Sequence, residues 1–265
     1  MTDRRVTPDP ALVNLNDDGS ISAPVVDLLR NIGGPRDRQL LFGDDVTILN
    51  RMDSHALVRA AKEGYCGWIA STAIAARKTP SHRVTARATQ AYTAADFKSP
   101  DRTLLSYGSR LTALSEHDRF IETDLGFIPA QHLEPNATTA ADPAEVAALF
   151  LGTPYLWGGN SCSGIDCSGL VQVACLACGL ACPGDSDQQE HVLGISLAGK
   201  EPLRRNDLVF WKGHVALVTD DNTLIHANAH DMGVAYEPIA QAIQRINAQG
   251  DGLPTSRKRL PALDI

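Results

Sequence analysis

Long apolar runs are missing from this chain of 265 residues. No stretch approaches the ~18 consecutive apolar residues of a membrane-spanning helix, which excludes such a span. Basic charge is also scarce. Lys and Arg number 24 against 31 Asp and Glu, for a net charge of -7, and no long basic run occurs. That argues against nucleic acid and against an anionic membrane surface as partners. The N-terminus, MTDRRVTPDPALVNLNDDG, has two arginines but no apolar core behind them and no small-residue cleavage site. A secretory leader is therefore not expected. Cysteine is too sparse for a disulfide scaffold, with 6 in the chain. Reduced thiols in a cytoplasm are the expectation. The pair Cys175-x-x-Cys178 has no second pair to complete a zinc site and sits in the apolar run LVQVACLACGLAC. Neither a metal nor a cofactor is expected.

What is present is globular: 43% hydrophobic and 21% charged residues. The length suits one to three domains. Residues 1–20 mix Asp, Asn and Pro without clear periodicity and read as an extension. From there to 135, short alternating segments are separated by turns. LLFGDDVTILN…HALVRAAKEGYCGWIAS and LLSYGSRLTALSEHDRFIETDLGFIPAQHL resemble each other, and their tails are Gly64-Tyr65-Cys66-Gly67-Trp68-Ile69 and Gly126-Phe127-Ile128-Pro129. Short strands with glycine at the corners suggest small β-barrels. Two such units, 21–79 and 80–135, form an internal repeat. Residues 136–141 read as a linker. Asp142-Pro143 then opens a helix, with Asp as N-cap, Pro at the first helical position and Glu145 in the first turn, ending at Gly152. A second helix is expected from about Ser168 to Cys178. Strands follow in DLVFW, HVALVTD and TLIHANA. The domain from 140 to 265 therefore reads as α+β, helices followed by a mostly antiparallel sheet.

The chemistry concentrates in GTPYLWGGNSCSGIDCSGLVQ, residues 152–172. Cys167 follows a glycine-rich loop and opens an apolar helix. A thiol attacks as its thiolate. A helix N-terminus supplies unpaired N–H groups and partial positive charge, which favour the thiolate and can hold an oxyanion. The plainer alternative is that Cys167 is one more small buried hydrophobe. A thiolate mechanism also needs a base. His214, in GHVALV, lies 47 residues after Cys167, and His226, in LIHANA, 12 further on. Two strands joined by a turn could make them neighbours, His214 as base and His226 as its orienting partner. The alternative is that either histidine ends a strand or packs in the core. Trp157 and Trp211 read as core aromatics, and Cys175 and Cys178 as core on one helix face.

PYLWGG, GIDCSGLV, CPGDSDQQ, DLVFWKGHVALV and LIHANA occur in that order. Together they resemble the NlpC/p60 family of cysteine peptidases, which have a papain-like fold and hydrolyse bacterial cell-wall peptides. The tail Gly-Tyr-x-Gly-Trp-Ile resembles bacterial SH3-like domains. The resemblance implies Cys167 as nucleophile, His214 as base and His226 as third polar residue. It places Tyr155 close to the oxyanion, and Asp166 and Ser168 at substrate-binding positions. Asn206 stands where many members have Gly, and Gly184 where many have Arg; the latter leaves open a contact to a substrate carboxylate. An NlpC-type domain behind two SH3-like units further resembles the γ-D-glutamyl-L-diamino-acid endopeptidases. That implies a cytoplasmic enzyme of cell-wall recycling, with a short murein peptide, L-Ala-γ-D-Glu-diamino acid with a free N-terminal amine, as its substrate. Ser186 and, from the SH3-like part, Asp44, Asp45, Glu63 and Tyr65 are further candidates for holding it. For the last four the alternative is an ordinary solvated turn. An exported wall hydrolase and a non-catalytic peptide-binding module are the competing functions.

Overall fold

Alternation writes the first half of the chain. In the strand Asp45–Met52, Val46 and Ile48 face inward while Asp45 and Thr47 are less covered. Period two along a strand does this wherever one face is buried. The computed structural model describes residues 3–199 and 201–262. The chain divides into two units, one ending at Thr138 and one starting at Thr139.

The first unit holds a seven-stranded sheet in the order 36–41, 25–29, 66–70, 55–60, 45–52, 17–21, 74–75. Its core is Ile21, Leu28, Leu40, Ile48, Val58 and Ile69, with others. The sequence places residues 1–20 outside this barrel, but the sheet reaches further back. Asp17–Ile21 pairs with both Asp45–Met52 and Ile74–Ala75. Leu15 packs on the core, and Arg5 accepts a hydrogen bond from the Cys66 amide. The polar composition of 1–20 hides this because the strand contributes pairing more than apolar side chains. A five-stranded sheet, in the order 101–106, 88–92, 126–129, 120–123, 113–117, and a three-stranded one, 110–111, 82–84, 133–135, close the second half of the unit. Val84, Leu105, Leu111, Ile128 and Leu133 give these two sheets one shared core.

The second unit packs helices on a sheet. Helix α1 spans Pro143–Ala148; the Asp142 carboxylate accepts from the Ala144 amide, as an N-cap does. It stops four residues before the expected Gly152, and the chain continues as turns. Helix α2 spans Cys167–Ala177, α3 Ser186–Val192 and α4 Ile239–Ala248. The sheet runs 195–196, 256–259, 207–211, 214–218, 223–228, 233–238, antiparallel throughout. Helices α1 and α2 pack together, and α2 lies on the strands His214–Val218 and Thr223–Asn228. Neither α3 nor α4 was among the two helices expected from the sequence. Helix α4 buries Ile239, Ala242 and Ile246 against Val218 and Leu224, a helical spacing readable in PIAQAIQRINAQ. Asn206 has φ +70°, a left-handed turn that glycine fits and asparagine tolerates, and its side chain adds a bond to the Ala144 amide.

Candidate active site

Helix α2 starts at Cys167 because Asp166 caps it. Asp166 Oδ1 accepts from the Gly169 amide at 2.6 Å and from the Ser168 hydroxyl at 3.0 Å. Its Oδ2 accepts from the Gly158 amide at 2.8 Å. One carboxylate thus ties the glycine loop to the first turn of the helix. Gly169 is required by space: a Cβ there would stand 2.5 Å from the Gly159 carbonyl oxygen. A hairpin of Asn160–Ser161 with Gly164–Ile165 carries the chain into the cap. Behind it, the Gln189 amide on α3 donates to the carbonyls of Ser168 at 2.8 Å and Pro183 at 3.0 Å. Gln189 was not singled out in the sequence; only its place in CPGDSDQQ pointed to it.

The histidines come from neighbouring strands. His214 opens one strand and His226 lies on the next. His214 Nε2 and His226 Nδ1 are 2.9 Å apart. Trp211 is buried beside them, with its ring centroid 5.7 Å from that of His214. Burial pushes the His214 imidazole down to about 3, helped by the neighbouring His226 and Arg245 and opposed by Glu237. Burial also brings His226 down to about 4, with Arg245 next in effect. Both rings are neutral near pH 7, so one donates and the other accepts in their shared hydrogen bond.

Tyr155 is held by its amide bonding to the Met232 carbonyl. Burial, then the charges of Cys167 and Asp166, raise its phenol well above the ordinary value. The group therefore keeps its proton and stays a donor beside the thiol. A cleft of about 430 Å3 is lined by Tyr155, Trp157, Lys212, His214, His230 and Arg245, among others. Trp157 is 70% exposed on its rim, not in the core as its sequence context suggested, whereas Trp211 is buried.

The remaining candidates are placed as follows. Asp166 and Ser168 are buried and engaged with each other and with the backbone, so their side chains build the site. Ser186 is the first residue of α3. In the first unit, Asp44 accepts from the Leu41 amide and pairs with Lys62 at 2.7 Å. Asp45 accepts from Ser20 and pairs with Arg77. These two carboxylates hold their own turn and are not merely solvated. Tyr65 is buried in the first sheet's core, and Glu63 is half-buried in the preceding turn. Among the described residues no group of three or more His, Cys, Asp or Glu could hold a metal, and none of the six cysteines is bridged.

The chain is similar to known proteins. The NlpC/P60 family matches residues 152–248, which run from just before Tyr155 through both histidines to the end of α4. A bacterial dipeptidyl-peptidase SH3 domain matches residues 28–74. The probable endopeptidase NlpC of Escherichia coli is 32% identical, and the match covers 38% of this chain and 69% of that protein. The chain belongs to the NlpC/P60 family. Its fold is therefore the α+β catalytic domain of the NlpC/P60 cysteine peptidases, preceded by SH3-like sheets. The NlpC/P60 match extends to fuller-length relatives. A γ-D-glutamyl-L-lysine dipeptidyl-peptidase of Bacillus cereus is 29% identical over 76% of this chain and 70% of its own. One from Bacillus subtilis is 37% identical, but over 34% of this chain and 32% of its own. The crystal structure of an NlpC/P60 family protein from Bacillus cereus superposes with a TM-score of 0.76 at 22% identity, covering 92% of this chain and 100% of that one. That likeness establishes the fold.

Proposed function

We infer that this NlpC/P60 peptidase uses Cys167 as nucleophile, His214 as base and His226 as the residue that orients it. The observation that carries this is the 2.9 Å bond between His214 and His226, on the two strands that α2 packs across, with Cys167 as the first residue of α2. Neutral His214 takes the thiol proton through Nδ1, the ring nitrogen not used toward His226. The thiolate adds to the scissile carbonyl. The oxyanion is met by first-turn amides of α2 and by the protonated Tyr155 hydroxyl. His214 then returns the proton to the departing amine, and water hydrolyses the thioester by the same route.

The substrate we propose is a short murein peptide, L-Ala-γ-D-Glu followed by a diamino acid, cut between D-Glu and the diamino acid. Support comes from the dipeptidyl-peptidase SH3 domain on the same chain and from the names of the Bacillus relatives. The reading extends to a cytoplasmic role in cell-wall peptide recycling, which fractionation of cells tests.

The central experiment incubates the enzyme with L-Ala-γ-D-Glu-meso-diaminopimelate, the L-lysine counterpart and their N-acetylated forms, and reads products by mass spectrometry. Release of L-Ala-γ-D-Glu from the free-amine peptides, with at least a tenfold lower kcat/KM after acetylation, is expected. Equal turnover of acetylated peptides, or release of fragments from intact sacculi, would replace this reading with an exported wall hydrolase.

A further inference from the structure

Beside His226 lies a carboxylate, that of Glu237, which the family motifs do not mark. The His226 side chain is fully buried, and its Nε2 stands 3.2 Å from Glu237 Oε2 without a well-directed hydrogen bond. Strand register explains the proximity. His226 is opposite Ala235, so Glu237, two residues on, shares its face as the diagonal neighbour. Glu237 is in turn gripped from α4: Arg245 Nε reaches Oε1 at 2.9 Å and Nη2 reaches Oε2 at 2.7 Å. A two-pronged guanidinium contact fixes both the plane and the charge of a carboxylate.

We propose that Glu237, locked by Arg245, is a positioning residue that sets the tautomer of His226 and thereby the direction of the His214–His226 hydrogen bond. This rests on the catalytic roles given above to Cys167 and His214. A carboxylate beside Nε2 selects the form of His226 that carries its proton there, leaving Nδ1 bare. Bare Nδ1 accepts from His214 Nε2–H. His214 Nδ1 is then left without a proton, the state that can take one from the thiol. When that proton arrives, the new positive charge on His214 is shared through its hydrogen bond to His226 and faces the Glu237 carboxylate beyond it. Arg245 holds the Glu237 carboxylate in place through both of its oxygens. The other charged groups acting on the pair are Asp231 and His230, and Arg245 itself, which opposes protonation of both rings.

Two measurements test this on the full chain. The first uses no substrate. Histidine 15N NMR of the wild-type protein, with His226 assigned through His226→Asn, is expected to show His226 as the Nε2–H tautomer. The Nδ1–H tautomer would overturn the proposal. The second follows alkylation of Cys167 against pH by peptide mass spectrometry. In Glu237→Gln the imidazolium loses its counter-charge, so the reactive thiolate should appear at least half a pH unit higher, with Glu237→Asp recovering part of the shift. Where substrate turnover is available, kcat should fall about tenfold or more with KM within about twofold. An unchanged alkylation profile in a folded Glu237→Gln protein would make Glu237 a structural ion-pair residue only. Neither readout requires the murein peptide to be the right substrate, so failure of the substrate assignment leaves it intact.

Discussion

The two sides of the active site are built over different distances along the chain. The nucleophile's side is local: Gly158, Gly159, Asp166, Cys167, Ser168 and Gly169 lie within a dozen positions, and one carboxylate ties them together. The histidine side is assembled from four separate elements, with His214 and His226 on two strands, Glu237 on a third and Arg245 on a helix. The first side depends on one turn keeping its shape. The second depends on strand register, since a slip of one residue would turn His226 away from Glu237.

Substitutions break this contrast in graded ways. Cys167→Ala removes the nucleophile and little volume. Turnover should fall at least about 10^4-fold with the melting curve preserved. Steady-state kinetics beside calorimetry checks both, and a folded variant with substantial activity would refute the nucleophile. His214→Ala should cost about 10^3-fold in kcat, since the thiolate then lacks its base. Asp166→Ala attacks the local side through stability. It uncaps α2 and strands the buried amide of Gly158, for about 2–4 kcal/mol together. Calorimetry should show the loss even if Cys167 retains some reactivity. His226→Asn keeps a polar partner for His214 but drops the link to Glu237, and about a tenfold fall in kcat is expected.

The smallest effect is on acid stability, and it sharpens the comparison through the difference between the wild type and a histidine variant. An unfolded histidine takes a proton near pH ~6.5. In the folded protein, protonation waits until about 4 for His226 and about 3 for His214. Between those limits the unfolded chain holds more protons, so stability rises with pH and is lost progressively on acidification below about 6.5. Thermal melts from pH 7 down to 4.5 should show the decline, with a shallower slope in His226→Asn. An identical slope in that variant would mean that His226 does not stay neutral in the fold.

How legible each part was follows from the same contrast. The capped helix, the glycine loop and Cys167 could be read because every determinant sits beside its neighbour in sequence. His214 and His226 were readable only as a pair on two adjacent strands, and their bond needed the register. Glu237 and Arg245 left no local sign, because strand pairing and helix docking bring them to His226. Trp157 misled for a related reason: a tryptophan between apolar residues and glycine looks like core until its lack of covering chain is known. The strand at Asp17–Ile21 was hidden by its polar residues, since its place in the sheet rests on backbone pairing.

Trp211 has one more consequence. Its indole is buried and its ring lies within 6 Å of His214, while Trp157 stands in the open at the cleft. The site therefore carries two optical reporters with different exposures. Aqueous quenchers reach Trp157 and are shut out from Trp211, whose emission falls only when the adjacent His214, neutral near pH 7, takes a proton. With Trp68, the third tryptophan and also buried, replaced, events at the mouth of the cleft and protonation at its base can be followed separately by light alone.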